Sequence, residues 1–292
     1  MADKTNPPES LLEETRQMLR RHDLKARKGL AQHFLTSRNI LDKITAAADL
    51  AETDTVMEIG PGLGVLTKEL VKRSGQVIAV ELDARLAEIL KTSLSGFKNL
   101  SIVNRDVLEI EPGKLLQEFA HGQNQYKVVA NLPYYITSAV IRHFLEAAFK
   151  PTTMIIMVQK EIAQTITAKP GQLSLLSISV QFYGKPGVVT YVPAECFFPA
   201  PKVDSAVLRI DLYPEPVVSV RSTESFFRLV KAGFTSNRKQ IANSLALGLG
   251  LPKNDMLPLL EKAGIDKKRR AETLSLEEWG NLYRTCLEAA RC

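Results

Sequence analysis

The 292-residue sequence predicts an α/β fold: a doubly wound sheet followed by a small C-terminal all-α domain. Three observations carry that prediction. Short runs rich in Val and Ile alternate with helix-like segments from Thr55 to Glu161. Those runs are apolar on both faces, as parallel strands covered by helices are. After the Pro-containing "YPEPVV" (213–218) the pattern changes to helices only.

In chain order, residues 1–25 form an N-terminal helical extension, with a capping-box pattern at Ser10-x-x-Glu13 and a partial apolar face of Leu11, Leu12, Met18 and Leu19. The opening "MADKTNPPES" is polar, so no secretory leader is predicted. A basic segment follows: Arg20, Arg21, Lys25, Arg27 and Lys28. Residues 26–215 make the second domain. There "TVMEI" (55–59) leads to a helix through "VLTKELVKR", and "VIAVEL" (77–82) leads to "ARLAEILKTSL". "LSIVNRD" (100–106) is next, then "KVVAN" (127–131) with a helix at 136–149, then "TMIIMVQKE" (153–161). "GVVTYVP" and "DSAVLRIDLY" (204–213) close the sheet as an antiparallel pair. Residues 216–292 carry helices at 223–235, 238–248, 254–262 and 275–290.

Hydrophobic residues at 45% and charged residues at 24% describe an ordinary soluble globular chain, and no apolar run approaches the roughly 18 residues of a membrane span. Cys196, Cys286 and Cys292 form no CxxC, which indicates neither a disulfide framework nor a zinc site and points to a reducing cytoplasm. His22, His121 and His143 share no ligand spacing, so no metal is expected. The net charge is +6, and residues 216–292 hold 13 Lys/Arg against 8 Asp/Glu, so most of the excess lies there. That distribution fits either a polyanionic partner or a solvated basic surface.

"MEIGPGLGVLTKEL" places Gly60, Gly62 and Gly64 directly after the first sheet strand and at the mouth of a helix. Such a loop lets backbone approach a ligand over the strand's carboxyl end, where open α/β sheets bind. The spacing is G-x-G-x-G, with Val at position 65, rather than the dinucleotide G-x-G-x-x-G, which lowers a nicotinamide reading. Glu81 ends the second strand, where an acid grips both hydroxyls of a ribose. Pairing with Arg85 is its plain structural alternative. The third strand ends on Asp106, placed to accept from an adenine amino group or to cap the next turn. No Walker lysine or basic phosphate clamp lies in these loops, so the pocket suits an adenosine-bearing ligand without phosphates.

The fourth strand ends on Asn131, an amide that folding alone would not select, and Pro133 forbids continuing a ladder or helix through that point. Asn131 could cap the following helix, whose apolar face is Val140, Ile141, Phe144 and Leu145, but Thr137 or Ser138 fits that role better.

Asn131-Leu132-Pro133-Tyr134 resembles the (N/D)-(P/I/L)-P-(Y/F) motif of amino-methyltransferases that use S-adenosylmethionine. Together with "AQHFLTSRNI", "EIGPGLG", "FFPAPKVDSAV" and "ETLSLEEW", it makes the chain similar to the ribosomal RNA adenine dimethyltransferase family over about residues 28–285. The resemblance implies a Rossmann-like methyltransferase sheet, S-adenosyl-L-methionine as methyl donor and S-adenosyl-L-homocysteine as product. It also implies dimethylation of two adjacent adenosines in the 3′-terminal hairpin loop of small-subunit (16S) rRNA, by a monomer acting on the immature subunit and not on a membrane.

By the same likeness Gln32, His33 and Leu35 border the cofactor, and Gly60, Gly62, Glu81, Asp106 and Asn131 contact it. The family has Gly-Gln-Asn-Phe-Leu where this chain has Ala31 and His33, so a backbone contact is expected of His33. The catalytic set is Asn131, Leu132, Pro133, Tyr134 and Phe197: two acceptors for the adenine N6, a rigid turn, a stacking face, and an aromatic that closes over the base. Phe198 is the neighbouring candidate for the last role. "VKAGFTSNRKQIANSL" resembles the family's basic helix, with Asn237 in place of its first arginine. Arg238 and Lys239, with Lys267, Lys268, Arg269 and Arg270, are then expected to hold RNA phosphates. The rivals are a large-subunit rRNA adenine methyltransferase of the macrolide-resistance type and a non-catalytic RNA-binding assembly factor on the same fold.

Overall fold

The computed structural model describes residues 10–24, 32–120 and 125–289. Lys25, Arg27, Lys28, Ala31, His121 and Cys292 lie outside the described residues. Helix α1 (Leu11–Arg21) starts at Ser10, whose hydroxyl accepts from the Glu13 amide at 3.3 Å. The sheet unit continues through β1 (Phe34–Leu35), α2 (Arg38–Ala48), β2 (Thr55–Ile59), α3 (Val65–Leu70), β3 (Gln76–Glu81), α4 (Ala84–Ser93) and β4 (Leu100–Asn104). It goes on through α5 (Pro112–Phe119), β5 (Lys127–Asn131), α6 (Thr137–Glu146) and β6 (Thr153–Gln159). Helices α7 (Lys160–Ile166) and α8 (Leu175–Tyr183) precede β7 (Gly184–Val192), β8 (Phe197–Phe198) and β9 (Ser205–Leu212). The chain ends in α9 (Thr223–Gly233), α10 (Ile241–Leu249), α11 (Lys253–Lys262) and α12 (Leu276–Glu288).

The main sheet has the order β4-β3-β2-β5-β6-β9-β7. Strands β2 to β6 run parallel, and β9 lies antiparallel to β6. Every residue of β2 is buried, as are Val128, Val129 and Ala130 in β5, which is why these stretches are continuous apolar runs. The edge strand β4 is the exception, with only Val103 buried. The chain steps outward from β2 to β4 and then returns to place β5 on the other side of β2, so the winding reverses between β2 and β5. Open α/β sheets bind ligands outside the carboxyl ends of the strands at such a reversal.

The chain forms two compact units, divided at a different place from the expected boundary. The helical unit begins at Tyr213 and also takes Gln164–Pro186, which the sequence reading placed in the 26–215 domain. Helix α8 explains the difference: in LLSISVQFY the polar Ser177, Ser179 and Gln181 alternate with apolar residues, a strand's period rather than a helix's. Its Phe182 is fully buried, with ring centroids 5.0 Å from Phe226 and 5.2 Å from Phe227. Within the sheet unit, α1 packs on the core. Leu11 joins the core of Leu41, Val56, Val77 and Val129, and Leu19 packs with Phe34, Leu63 and Leu86. The predicted 153–161 strand stops at Gln159, where Lys160 opens α7, and the helix expected from 238 begins at Ile241. No helix among the described residues is long and apolar enough to cross a membrane.

Candidate active site

A cavity lies at the winding reversal. Every residue named above for the cofactor, from Gln32 to Asn131, borders it, and so do Leu132, Pro133 and Tyr134. Register explains the convergence. Ile59 pairs with Val80 on one side and Ala130 on the other, so Gly60, Glu81 and Asn131 lie side by side at three strand ends.

The glycine loop and Glu81 hold each other. Gly62 (φ 59°) donates its amide to Glu81 Oε2 at 3.1 Å, and the Asp83 amide donates to Oε1 at 2.9 Å. The carboxylate is thus engaged by backbone rather than by Arg85. Gly64 has φ 78°, and a Cβ there would meet Leu90 at 2.7 Å, so both conformation and space demand glycine. Burial pushes the Glu81 carboxyl above its usual range, with the Asp83 charge adding to it and the backbone amides of Asp83, Gly62 and Leu82 opposing. Asp106 follows β4 by two residues and accepts from the Leu108 amide at 2.9 Å, so it does cap a short turn while bordering the cavity.

Glu58 was not foreseen. It sits inside β2, is 1% exposed, borders the cavity, and its Oε2 has no hydrogen-bond partner among the described residues. Burial, with the Glu81 charge adding to it and nearby Thr67 opposing, lifts its pKa to about 8. The signal in the sequence was an acid inside an otherwise apolar strand, "TVMEI". Arg105 and Tyr135, the latter 58% exposed, also border the cavity and were missed.

Asn131 donates Nδ2 to the His33 carbonyl at 3.2 Å. One of its two N–H groups is committed to the protein, which orients the amide and leaves its oxygen to offer a ligand. It does not cap α6, and neither do Thr137 and Ser138, contrary to expectation. The chain enters α6 straight from the short helical turn Tyr134–Ile136, so Ile136 takes the cap position without a side-chain bond. Thr137 Oγ1 instead donates back to the Pro133 carbonyl at 3.3 Å, which also accepts from the Ile136 amide at 3.2 Å. Tyr134 Oη lies 2.7 Å from Ser205 Oγ, and burial pushes its pKa up, so the phenol stays neutral. The His33 ring stacks on Tyr134, and its Nδ1 lies 2.6 Å from the Pro199 carbonyl oxygen.

Phe197 is placed elsewhere than expected. Strand β8 pairs with β1, with Leu35 opposite Phe197 and Phe34 opposite Phe198. That pairing puts Phe197, 4% exposed, in the core with Leu35, Met157 and Val207. Phe198 packs against Phe34 and Leu63, and the Arg16 guanidinium lies 5.3 Å over its ring. Neither aromatic borders the cavity.

In the helical unit Arg238 and Lys239 lie exposed on the turn before α10 rather than on a helix. Lys267, Lys268 and Arg270 are also exposed, and the Ile241 amide donates to the Arg269 carbonyl at 2.7 Å, tying the two basic stretches together. Arg269 differs from its neighbours. Its guanidinium bonds both oxygens of Glu278 and the Thr273 hydroxyl and carbonyl, and it holds the Glu278 carboxyl below its usual range. Among the described residues no group of three His, Cys, Asp or Glu side chains could hold a metal ion.

The family model described as ribosomal RNA adenine dimethylase matches residues 23–286. The chain is 52% identical over 282 residues to ribosomal RNA small subunit methyltransferase A of Dehalococcoides mccartyi, covering 96% of this chain and 94% of that protein. It is 44% identical to the protein of that name from Pelotomaculum thermopropionicum, over 94% of this chain and 96% of the relative. The solved structure of 23S rRNA methyltransferase ErmE is 32% identical, with a TM-score of 0.69 over 86% of this chain and 98% of that one. A dimethyladenosine transferase from Plasmodium falciparum, 24% identical with a TM-score of 0.76 over 88% of this chain and 98% of its own, shares the fold. On the strength of the family match and these identities, this chain belongs to the ribosomal RNA adenine dimethylase family.

Proposed function

We propose that the protein is an S-adenosyl-L-methionine-dependent methyltransferase that dimethylates N6 of two adjacent adenosines in the 3′-terminal hairpin loop of small-subunit (16S) rRNA. It acts as a cytoplasmic monomer on the immature small subunit and releases S-adenosyl-L-homocysteine. The observation that carries this reading is the orientation of Asn131, whose amide donates to the His33 carbonyl and so offers its oxygen in the cavity that Glu81 and Asp106 share.

The residues fit the cofactor. The positive-φ glycines bring backbone to the cavity floor, and Glu81 stands where a ribose diol is gripped. Asp106 is placed for the adenine amino group. When bound, the cofactor supplies a methyl group activated on a sulfonium. The protein's task is to prepare the other partner. Adenine N6 is a poor nucleophile because its lone pair is delocalised into the ring. Two acceptors on its hydrogens, Asn131 Oδ1 and a backbone carbonyl, favour a pyramidal nitrogen and stabilise the positive charge that develops there. By the likeness of Asn131–Tyr134 to the family motif that backbone acceptor is the Leu132 carbonyl, and the Pro133 carbonyl beside it already accepts from Ile136 and Thr137. Tyr134 offers a stacking face to a base swung out of its RNA context. The alkylated nitrogen is acidic enough to lose its proton to water, so positioning carries the remaining work. The exposed basic residues supply phosphate contacts.

The 32% identity with ErmE makes large-subunit rRNA the second reading, and the 52% identity with a small-subunit relative ranks it below the first. Mapping methylated adenosines in rRNA from cells with and without the protein, and in precursor subunits treated with it, separates them. The expected result is two dimethyladenosines in the small-subunit 3′ hairpin. A mark in large-subunit rRNA instead, or RNA binding without methyl transfer, would overturn the proposal.

A further inference from the structure

His33, itself in the cavity wall, contacts the Asn131–Tyr134 segment of that wall and the Pro199 segment outside it. Its carbonyl accepts the Asn131 amide at 3.2 Å, and its ring stacks on Tyr134 with centroids 5.9 Å apart and planes inclined by 23°. Its Nδ1 lies 2.6 Å from the Pro199 carbonyl oxygen. That oxygen only accepts, so Nδ1 carries the hydrogen, and the bond fixes the rotation of the ring. Tyr134 is held at its far end as well, by Ser205 at 2.7 Å from its hydroxyl. An aromatic ring has two faces. With the imidazole lying offset over part of one face and the hydroxyl tethered, a base stacking on Tyr134 is directed to the other. The Asn131 bond uses the backbone of His33, which every substitution keeps, so the part played by the ring is separable.

Resting on the methyl-transfer reading above, we propose that the imidazole of His33 is a positioning residue: by its offset stack on one face of Tyr134 it sets the face and depth at which the target adenine stacks. It acts through Tyr134 and the Pro199 segment rather than on the reacting nitrogen.

The test uses the full-length protein and substrate RNA carrying 2-aminopurine at a target position, whose fluorescence quenching reports stacking without methyl transfer. His33→Ala is expected to quench less at saturation. Its kcat on unmodified RNA should fall about tenfold, while the KM for RNA and the affinity for S-adenosylmethionine stay within about twofold, as for a misplaced but bound reactant. His33→Phe, which still covers the Tyr134 face, restores the quenching. His33→Asn, which keeps a donor for Pro199 but covers little of the ring, does not. Wild-type quenching and kcat in the alanine variant, or a loss confined to cofactor affinity, overturns the proposal. If the alanine variant does not fold, the other two decide, and phenylalanine quenching no better than asparagine overturns it. A wild-type protein that quenches but transfers no methyl group sinks the functional reading and leaves this one standing. Absence of quenching in the wild type overturns this one.

Discussion

The strand-end cavity and the basic turn at 267–270 were both visible in the sequence as clusters of chemistry, yet they fold to different degrees of order. In the cavity, Gly60, Glu81 and Asn131 sit at the ends of adjacent strands, and ladder register brings them together. In the turn, four consecutive basic residues divide, with Arg269 bonded to Glu278 and Thr273 and its three neighbours exposed. Position at the end of a parallel strand specifies where a side chain goes. A run of charge specifies only that charge is there.

The strongest way to break this comparison is Asn131→Ala. It removes one of two acceptors while Glu81 and the basic turn keep their own bonds. Methyl transfer should fall by roughly 10²–10³, as when one preorganised electrostatic partner is lost, with RNA affinity nearly unchanged. Single-turnover transfer to small-subunit RNA reads it. Dimethylation at the normal rate by the folded variant would mean that convergence in the cavity does not identify the chemistry.

Glu58 sharpens the same side. A buried carboxyl with its pKa raised from 4.5 to about 8 holds its proton in the fold and releases it on unfolding. The unfolded chain therefore binds fewer protons between those values, and stability falls as pH rises from about 4.5 to about 8, on the order of a few kcal/mol in all. Glu58→Gln, which mimics the protonated form, should flatten that slope in denaturant titrations of the cofactor-free protein. An unaltered slope would show that Glu58 is ionised and partnered in the fold.

What was legible follows from these cases. The central parallel strands were readable because burial on both faces leaves continuous Val- and Ile-rich runs, and the carboxyl ends of the strands then named the site. Helix α8 escaped because its Ser177, Ser179 and Gln181 alternate with apolar residues, a strand's period rather than a helix's. The core position of Phe197 depends on its pairing with Leu35, across 162 residues of chain that no local pattern bridges. Arg269 escaped for the same kind of reason: Glu278 was read as part of the motif "ETLSLEEW", with no hint of which base it would bind.

Arg269→Ala tests the basic turn from within. It removes a two-pronged bond to Glu278 and the bonds to Thr273, in a pair about a third exposed. A loss of about 1–3 kcal/mol near neutral pH is expected in chemical denaturation. Glu278 has a depressed pKa, so the contribution is present above its ordinary value of 4.5 and is lost as pH falls through the lower folded value. The difference between wild type and variant should therefore narrow in acid to what the Thr273 bonds contribute. A variant as stable as wild type at neutral pH would return Arg269 to the exposed set.

The smallest effect belongs to the exposed neighbours, and it completes the contrast. Lys267→Ala with Lys268→Ala removes two charges that face solvent, so stability should move by no more than about 0.5 kcal/mol per site. If these lysines meet phosphate, the dependence of RNA affinity on salt should flatten by roughly 0.7–0.9 of a log unit for each phosphate left unneutralised, because fewer counterions are released on binding. Arg269→Ala, by contrast, should leave that slope close to wild type. A double lysine variant with an unchanged slope would make the turn a solvated surface. Equal flattening by Arg269→Ala would show that its guanidinium leaves Glu278 to reach RNA, and the division drawn between the four basic residues would fail.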